Sequence, residues 1–167
     1  MEKSNRVSII TVSDKCSKNE REDRSGKYLV DFFKEKDWEI INYTIIPDEF
    51  DLILNTIKDI CDKKGSDLII TTGGTGFSPR DVTPEAAKAA FDREAPGISE
   101  YLRAQSQKLT PRAILSRGAS GIRKKTLIIN FPGSIKAVKE SVEIIYKPML
   151  HGIDILTSKD SECGGGD

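Results

Sequence analysis

Short runs of apolar, β-branched residues alternate along the chain with stretches whose apolar residues return every three or four positions. "RVSIITVSD" is a run of the first kind and ends at a polar turn. "LVDFFKEK" behind it sets Leu29, Phe32 and Phe33 at helical spacing. "WEIINYTIIP" reads as a second strand, stopped by Pro47. "DEFDLILNTIKDICDKKG" puts Ile53, Ile57, Ile60 and Cys61 on one helix face and closes on Lys-Lys-Gly, a C-terminal cap signal. "SDLIITTGG" is apolar throughout, as a central strand covered on both faces would be. Thr83 then caps a helix with Pro84 at its first position, and Pro96 opens another, "PGISEYLRAQSQKL". "AILSR" and "TLIIN" read as two further strands, and Ile135, Val138, Val142, Ile145 and Met149 mark the stripe of a last helix.

This alternation predicts an α/β fold, a three-layer α/β/α sandwich on a mostly parallel sheet. The pattern contains no internal repeat and no dividing linker. A single domain is expected over residues 1–157, and the small, polar stretch 158–167 is expected to be a flexible tail. Lys plus Arg and Asp plus Glu number 26 each, so no net field draws the protein to nucleic acid or to an anionic membrane. No apolar run reaches the ~20 residues of a membrane span, and "MEKSNRVSII" does not resemble a signal peptide. Cys16, Cys61 and Cys163 are odd in number and far apart, and His151 is the only histidine. That usage argues against a disulfide framework or structural zinc and fits a reducing, cytoplasmic setting. A lone histidine also leaves no His pair for acid–base catalysis.

In an open α/β sheet, ligands bind beyond the carboxyl ends of the strands. Four turns gather there: Ser13-Asp14, Pro47-Asp48-Glu49, the loop Gly73-Gly74-Thr75-Gly76 leading to Arg80-Asp81, and Pro132-Gly133-Ser134. Each has a plain folding role open to it. Asp48 and Ser134 can cap the helices that follow, Asp81 can close an Asx-turn, and the glycines can serve a tight turn. Convergence at one edge favours a ligand. Glycines let main-chain N–H groups approach an anion, and a helix N-terminus adds positive partial charge. The loop lacks the Gly-Lys-Ser/Thr of a Walker A motif and the Gly-x-Gly-x-x-Gly of a dinucleotide site. Carboxylates beside phosphate need a cation between them, and Asp48 with Asp81 would suit Mg²⁺.

"TTGGTGFSPRDVTPEA" closely resembles the motif of molybdenum-cofactor biosynthesis proteins. "TVSDKCS", "IIPDE", "DREAPG", "TPRAILSRGASGIRKKTLIINFPGS" and "HGIDIL" extend the likeness over nearly the whole chain, and point to the molybdopterin adenylyltransferases, among them the G domain of gephyrin. Lys15 stands where that family often has arginine. The resemblance implies a sheet of five strands ordered 2-1-3-5-4 with one antiparallel strand, expected in "AILSR", and a homotrimer. It implies Mg-ATP-dependent adenylylation of the terminal phosphate of molybdopterin, with pyrophosphate released and the product passed to a molybdenum insertase. Asp48 and Asp81 would be catalytic and hold Mg²⁺. Ser13, Asp14, Gly73, Gly74, Thr75 and Gly76 would take nucleotide and phosphate. Pro132, Gly133, Ser134, Arg80 and Arg117 would meet the pterin substrate or its anionic groups. Two other readings stay open at this point: a non-catalytic molybdopterin-binding or scaffold module, and a different nucleotide-dependent enzyme on the same fold.

Overall fold

The computed structural model describes residues 4–157; the tail expected at 158–167, with Cys163, lies outside the described residues. Six strands form one sheet: β1 (Arg6–Val12), β2 (Glu39–Ile46), β3 (Leu68–Thr72), β4 (Arg93–Glu94), β5 (Ser120–Arg123) and β6 (Thr126–Phe131), in the order β2-β1-β3-β6-β5-β4. β1 pairs in parallel with β2 and β3, and β3 with β6; β5 runs antiparallel to β6 and to β4. Leaving aside the two-residue β4, this is the expected order 2-1-3-5-4. The sixth strand is an addition to the five anticipated, too short to leave a sequence pattern.

The helices are α1 (Asp14–Ser17), α2 (Arg24–Lys34), α3 (Phe50–Asp59), α4 (Thr83–Ala90), α5 (Pro96–Ser106) and α6 (Ile135–Leu156). Strand alternation decides which layer each faces. Along β3, Leu68 and Ile70 join a core with Leu29 and Phe33 of α2 and Val142, Ile145 and Met149 of α6. Ile69 between them joins the opposite core, with Ile53 and Ile57 of α3 and Ala86 and Ala87 of α4. β3 and β6 are buried along their whole length, as their unbroken apolar runs require. α3 runs into a π-helical turn, Ile60–Lys64, closed by Gly65 at φ 74°; the Lys-Lys-Gly stop is thus a left-handed cap that glycine takes without strain.

Two local expectations fail. "AILSR" is no strand: Pro111–Leu115 is a 3₁₀ turn, and Ile114 and Leu115 remain 64% and 47% exposed. The antiparallel strand lies three residues past that stretch, at Ser120–Arg123, and a two-residue hairpin with Lys124 at φ 53° leads from it into β6. Thr83 does not cap α4 either. It is the helix's first residue, Val82 holds the cap position without a side-chain bond, and the Thr83 hydroxyl is buried with no hydrogen-bond partner.

Candidate active site

The loop after β3 is shaped by what lies beneath it. Gly73 sits at φ 101°, and a Cβ there would stand 2.2 Å from the Val12 carbonyl oxygen. Gly74 sits at φ 66°, and its Cβ would stand 2.3 Å from Thr83 Oγ1 and 3.0 Å from Asp48 Oδ1. No side chain fits at either position, and both backbones are in the region that favours glycine. Gly73 N–H donates to the Phe131 carbonyl at 3.1 Å and Thr72 Oγ1 to the Pro132 carbonyl at 2.8 Å, so the ends of β3 and β6 hold the loop against the Pro132-Gly133-Ser134 turn. The N–H groups of Gly74, Thr75 and Gly76 take no part in the main-chain hydrogen bonds that hold the loop. Ser134 caps α6, its Oγ accepting from Ala137 N–H at 3.2 Å, which brings the positive end of a 22-residue helix to the same place.

Beside the loop Asp14, Asp48 and Asp81 gather, with Arg80 forked onto Asp14. Asp14 and Asp48 bond reciprocally: Asp14 N–H donates to Asp48 Oδ2 at 2.9 Å, and Asp48 N–H to Asp14 Oδ1 at 3.0 Å. Asp48 therefore does not cap α3, whose cap position is Glu49. Arg80 forks onto Asp14, Nε to Oδ2 at 3.0 Å and Nη2 to Oδ1 at 2.9 Å. That fork, ahead of the Asp48 amide bond, holds the Asp14 carboxyl below its usual range. Burial, and then the negative charges of Asp14 and Asp81, push the Asp48 carboxyl up. Asp81 Oδ2 accepts from Ser78 N–H at 3.2 Å and lies 2.9 Å from where a Cβ of Gly76 would be. Asp81 thus closes its own turn and also adjoins the loop. Ser13, the cap of α1, accepts from Cys16 N–H at 3.2 Å and from Arg21 at 3.3 Å.

The arrangement fits a divalent cation on chemical grounds. The oxygens of Asp48 and Asp81 are hard donors, and burial, reinforced by the charges of Asp14 and Asp81, has raised the proton affinity of Asp48. Among the described residues no three acidic, histidine or cysteine side chains close a protein cage.

The loop and Asp81 also border a cavity of about 700 Å³. Gly74, Thr75, Gly76, Asp81, Gly133 and Ser134 line it, as does Pro132. Ser13, Asp14, Asp48 and Arg80 do not. Arg117 is turned onto the loop itself, with Nε on the Gly76 carbonyl at 2.8 Å and Nη2 on the Asp81 carbonyl at 2.7 Å. Three basic residues that sequence reasoning passed over, Arg103, Arg112 and Lys136, line the cavity. They come from α5, the 3₁₀ turn and α6, and only the fold brings them together. Arg112 immediately precedes the stretch misread as a strand and belongs to the 3₁₀ turn that replaces it.

Residues 8–152 match the family described as "Probable molybdopterin binding domain". The chain belongs to this family. It is 40% identical over 155 residues to the molybdopterin adenylyltransferase of Helicobacter pylori strain J99, a match covering 90% of this chain and 86% of that protein. It is 38% identical to gephyrin of Dictyostelium discoideum over 92% of this chain, which is only 23% of that longer protein. In three dimensions it matches the molybdopterin biosynthesis enzyme MoaB of Thermus thermophilus, with a TM-score of 0.87 and 41% identity over 92% of this chain and 97% of that one.

Proposed function

We propose that this family member is a molybdopterin adenylyltransferase: it joins the terminal phosphate of molybdopterin to the α-phosphate of ATP. The observation that carries the reading is the loop's position. The loop lines a cavity large enough for a pterin while Gly74 abuts Asp48 and Gly76 abuts Asp81, so two phosphate-bearing ligands can meet at it. The name and extent of the H. pylori relative support the same activity.

In this reading a phosphate oxygen of molybdopterin attacks the α-phosphorus. A new P–O–P bond forms, the α–β bridging bond breaks, and pyrophosphate leaves with the bond's electron pair. The protein supplies position and charge in place of a covalent intermediate. Gly73 fixes the entry of the loop, and the N–H groups of Gly74, Thr75 and Gly76 hold phosphate oxygens. Ser13 and Asp14 shape the nucleotide side, and Arg80, its Nε and Nη2 held by Asp14, keeps positive charge beside the phosphates. Pro132, Gly133 and Ser134, at the start of α6, face the pterin phosphate. Asp48 and Asp81 would hold Mg²⁺, which, when bound, neutralises phosphate charge as it builds on the leaving group. Arg103, Arg112 and Lys136 line the cavity beside Asp81 and Glu140, with Lys136 paired to Glu140, and leave it a small excess of positive charge for an anionic pterin.

The active form is a homotrimer in the cytosol that hands its product to a molybdenum insertase. No helix among the described residues is long and apolar enough to cross a membrane. The deciding assay is pyrophosphate release from Mg-ATP with and without molybdopterin. Release that requires molybdopterin is expected. Molybdopterin binding without release would make the protein a binding or scaffold module, and release without molybdopterin a different nucleotide-dependent enzyme.

A further inference from the structure

The chain from Thr110 to Gly118 walls the cavity and meets the glycine loop through one residue. Arg117 N–H donates to the Thr75 carbonyl at 2.8 Å. Its guanidinium spans the rest of the loop, from the Gly76 carbonyl at 2.8 Å to the Asp81 carbonyl at 2.7 Å, and also pairs with Glu85 in the first turn of α4. The Glu85 carboxylate is half exposed, so that ion pair contributes little by itself. The constraint lies in the carbonyl bonds, because a planar fork fixes two acceptors at once, as an ammonium does not.

Main-chain bonds fix the loop's ends, Gly73 N–H on the Phe131 carbonyl and Thr83 N–H on the Gly74 carbonyl, both at 3.1 Å, and Asp81 N–H closes a turn on the Ser78 carbonyl at 2.9 Å; between them the chain from Gly74 to Gly76 has few bonds of its own. The N–H groups of Gly74, Thr75 and Gly76 are left out of its main-chain bonding, and the Thr83 hydroxyl under Gly74 is buried without a partner. Its geometry therefore depends on its anchors. Two arginines add side-chain anchors to those main-chain bonds: Arg80, on Asp14, and Arg117, on the cavity wall, whose Gly118 carbonyl is held in turn by Arg103 Nη1 at 2.6 Å. A ligand pressed against Arg112 or Ser116 bears on the segment that carries Arg117.

We propose that Arg117 is a positioning residue that couples the two halves of the site: filling the cavity sets, through Arg117, the glycine loop that receives the nucleotide. Ligand names here rest on the adenylyl-transfer reading; the coupling between wall and loop does not. Binding energies are reciprocal, so each ligand tightens the other by the same factor.

The test measures binding of Mg²⁺ with α,β-methylene-ATP, which cannot release pyrophosphate, without and with saturating molybdopterin. Amide exchange at residues 74–81 is followed in parallel. In the wild type, molybdopterin is expected to tighten nucleotide binding by about fivefold or more and to slow loop exchange. In Arg117→Gln each ligand still binds, the tightening falls to about one, and the loop amides no longer respond. Arg117→Lys keeps the charge without the fork and loses the coupling too, which decides the matter should the glutamine variant not fold. Tightening that survives either substitution overturns the proposal, as does a wild-type loop indifferent to molybdopterin. If loop exchange responds through Arg117 but ATP yields no pyrophosphate, the transfer reading falls and the coupling stands.

Discussion

Asp14 and Asp48 are tied by two main-chain-to-carboxylate bonds of 2.9 and 3.0 Å, yet their acidities move in opposite directions. Asp14 has the Arg80 fork; Asp48 has burial and like-charged neighbours. The signs follow from linkage. Asp14, with its carboxyl lowered on folding, contributes stability above its unfolded value of 3.8 that is lost as pH falls through its folded value. Asp48, raised on folding, does the reverse: as pH climbs from 3.8 through its folded value, its ionisation works against the fold. Asp48→Asn keeps an oxygen for the Asp14 amide and removes the buried charge. It is expected to leave thermal stability at pH 7 equal or higher, to flatten the loss of stability above pH 3.8, and to depress adenylyl transfer. A clear drop in the melting temperature at pH 7 would mean that the charge holds the fold together.

Thr83 offers a sharper test of stability. Its hydroxyl is buried and unpartnered, and leaving such a group unmet costs roughly 1–3 kcal/mol. Thr83→Val keeps the shape and removes the polar atom. The expected gain is about 1 kcal/mol, or a rise of about 2–4 °C in melting temperature for a chain of this size. Gly74→Ala is expected to destabilise, since its Cβ would enter the space of Thr83 Oγ1 at a positive φ. Calorimetry on both variants checks the pair, and a less stable Thr83→Val would mean that the hydroxyl has found a partner in solution.

The parallel part of the sheet was legible because burial on both faces writes itself as unbroken apolar runs: Leu68–Thr72 and Thr126–Phe131 are buried at every position. The antiparallel strand was not. Ser120–Arg123 has one large apolar residue, Ile122, while Ile114 and Leu115 look like strand core and stay on the surface. Hydrophobic pattern records burial, and here exposed apolar residues outweighed a short edge-proximal strand. At the site, the turns after the parallel strands were readable as glycines and acids. The basic residues of the cavity were not, since an arginine on a helix such as Arg103 has the same local signature whether it faces solvent or a ligand. Nor could sequence distinguish an Arg117 reaching for substrate from one gripping carbonyls of its own chain.

The exposed apolar residues on that later stretch bear on assembly. Tyr101, Leu109, Ile114 and Leu115 are each between 47% and 64% exposed within 15 residues of chain. Neighbouring copies of the chain covering them would remove that surface from water. Light scattering at micromolar concentration is expected to give a trimer, and Ile114→Glu to shift it toward monomer. A wild type that stays monomeric would count against the trimer, and an unshifted Ile114→Glu would place the contact elsewhere.

Asp81 separates a folding role from a chemical one. Its Oδ2 takes the Ser78 amide at 3.2 Å, a turn contact that asparagine can also make. If the turn were all, Asp81→Asn would work nearly as well as the wild type. If Asp81 also holds Mg²⁺ against the ATP phosphates, removing its charge withdraws stabilisation that matters most in the transition state. Losses of that kind run to roughly 2.7–4 kcal/mol, a hundred- to a thousandfold in rate. Molybdopterin affinity is expected to change much less: Asp81 borders the cavity, but asparagine keeps its size and shape and the basic side chains Arg103, Arg112 and Lys136 are untouched. The measurement is adenylyl transfer at saturating Mg-ATP, with molybdopterin binding and thermal unfolding alongside. Unfolding near the wild-type temperature with transfer down at least a hundredfold is the expected result. Transfer close to wild type would remove Asp81 from the metal site and leave it as the residue that shapes the turn.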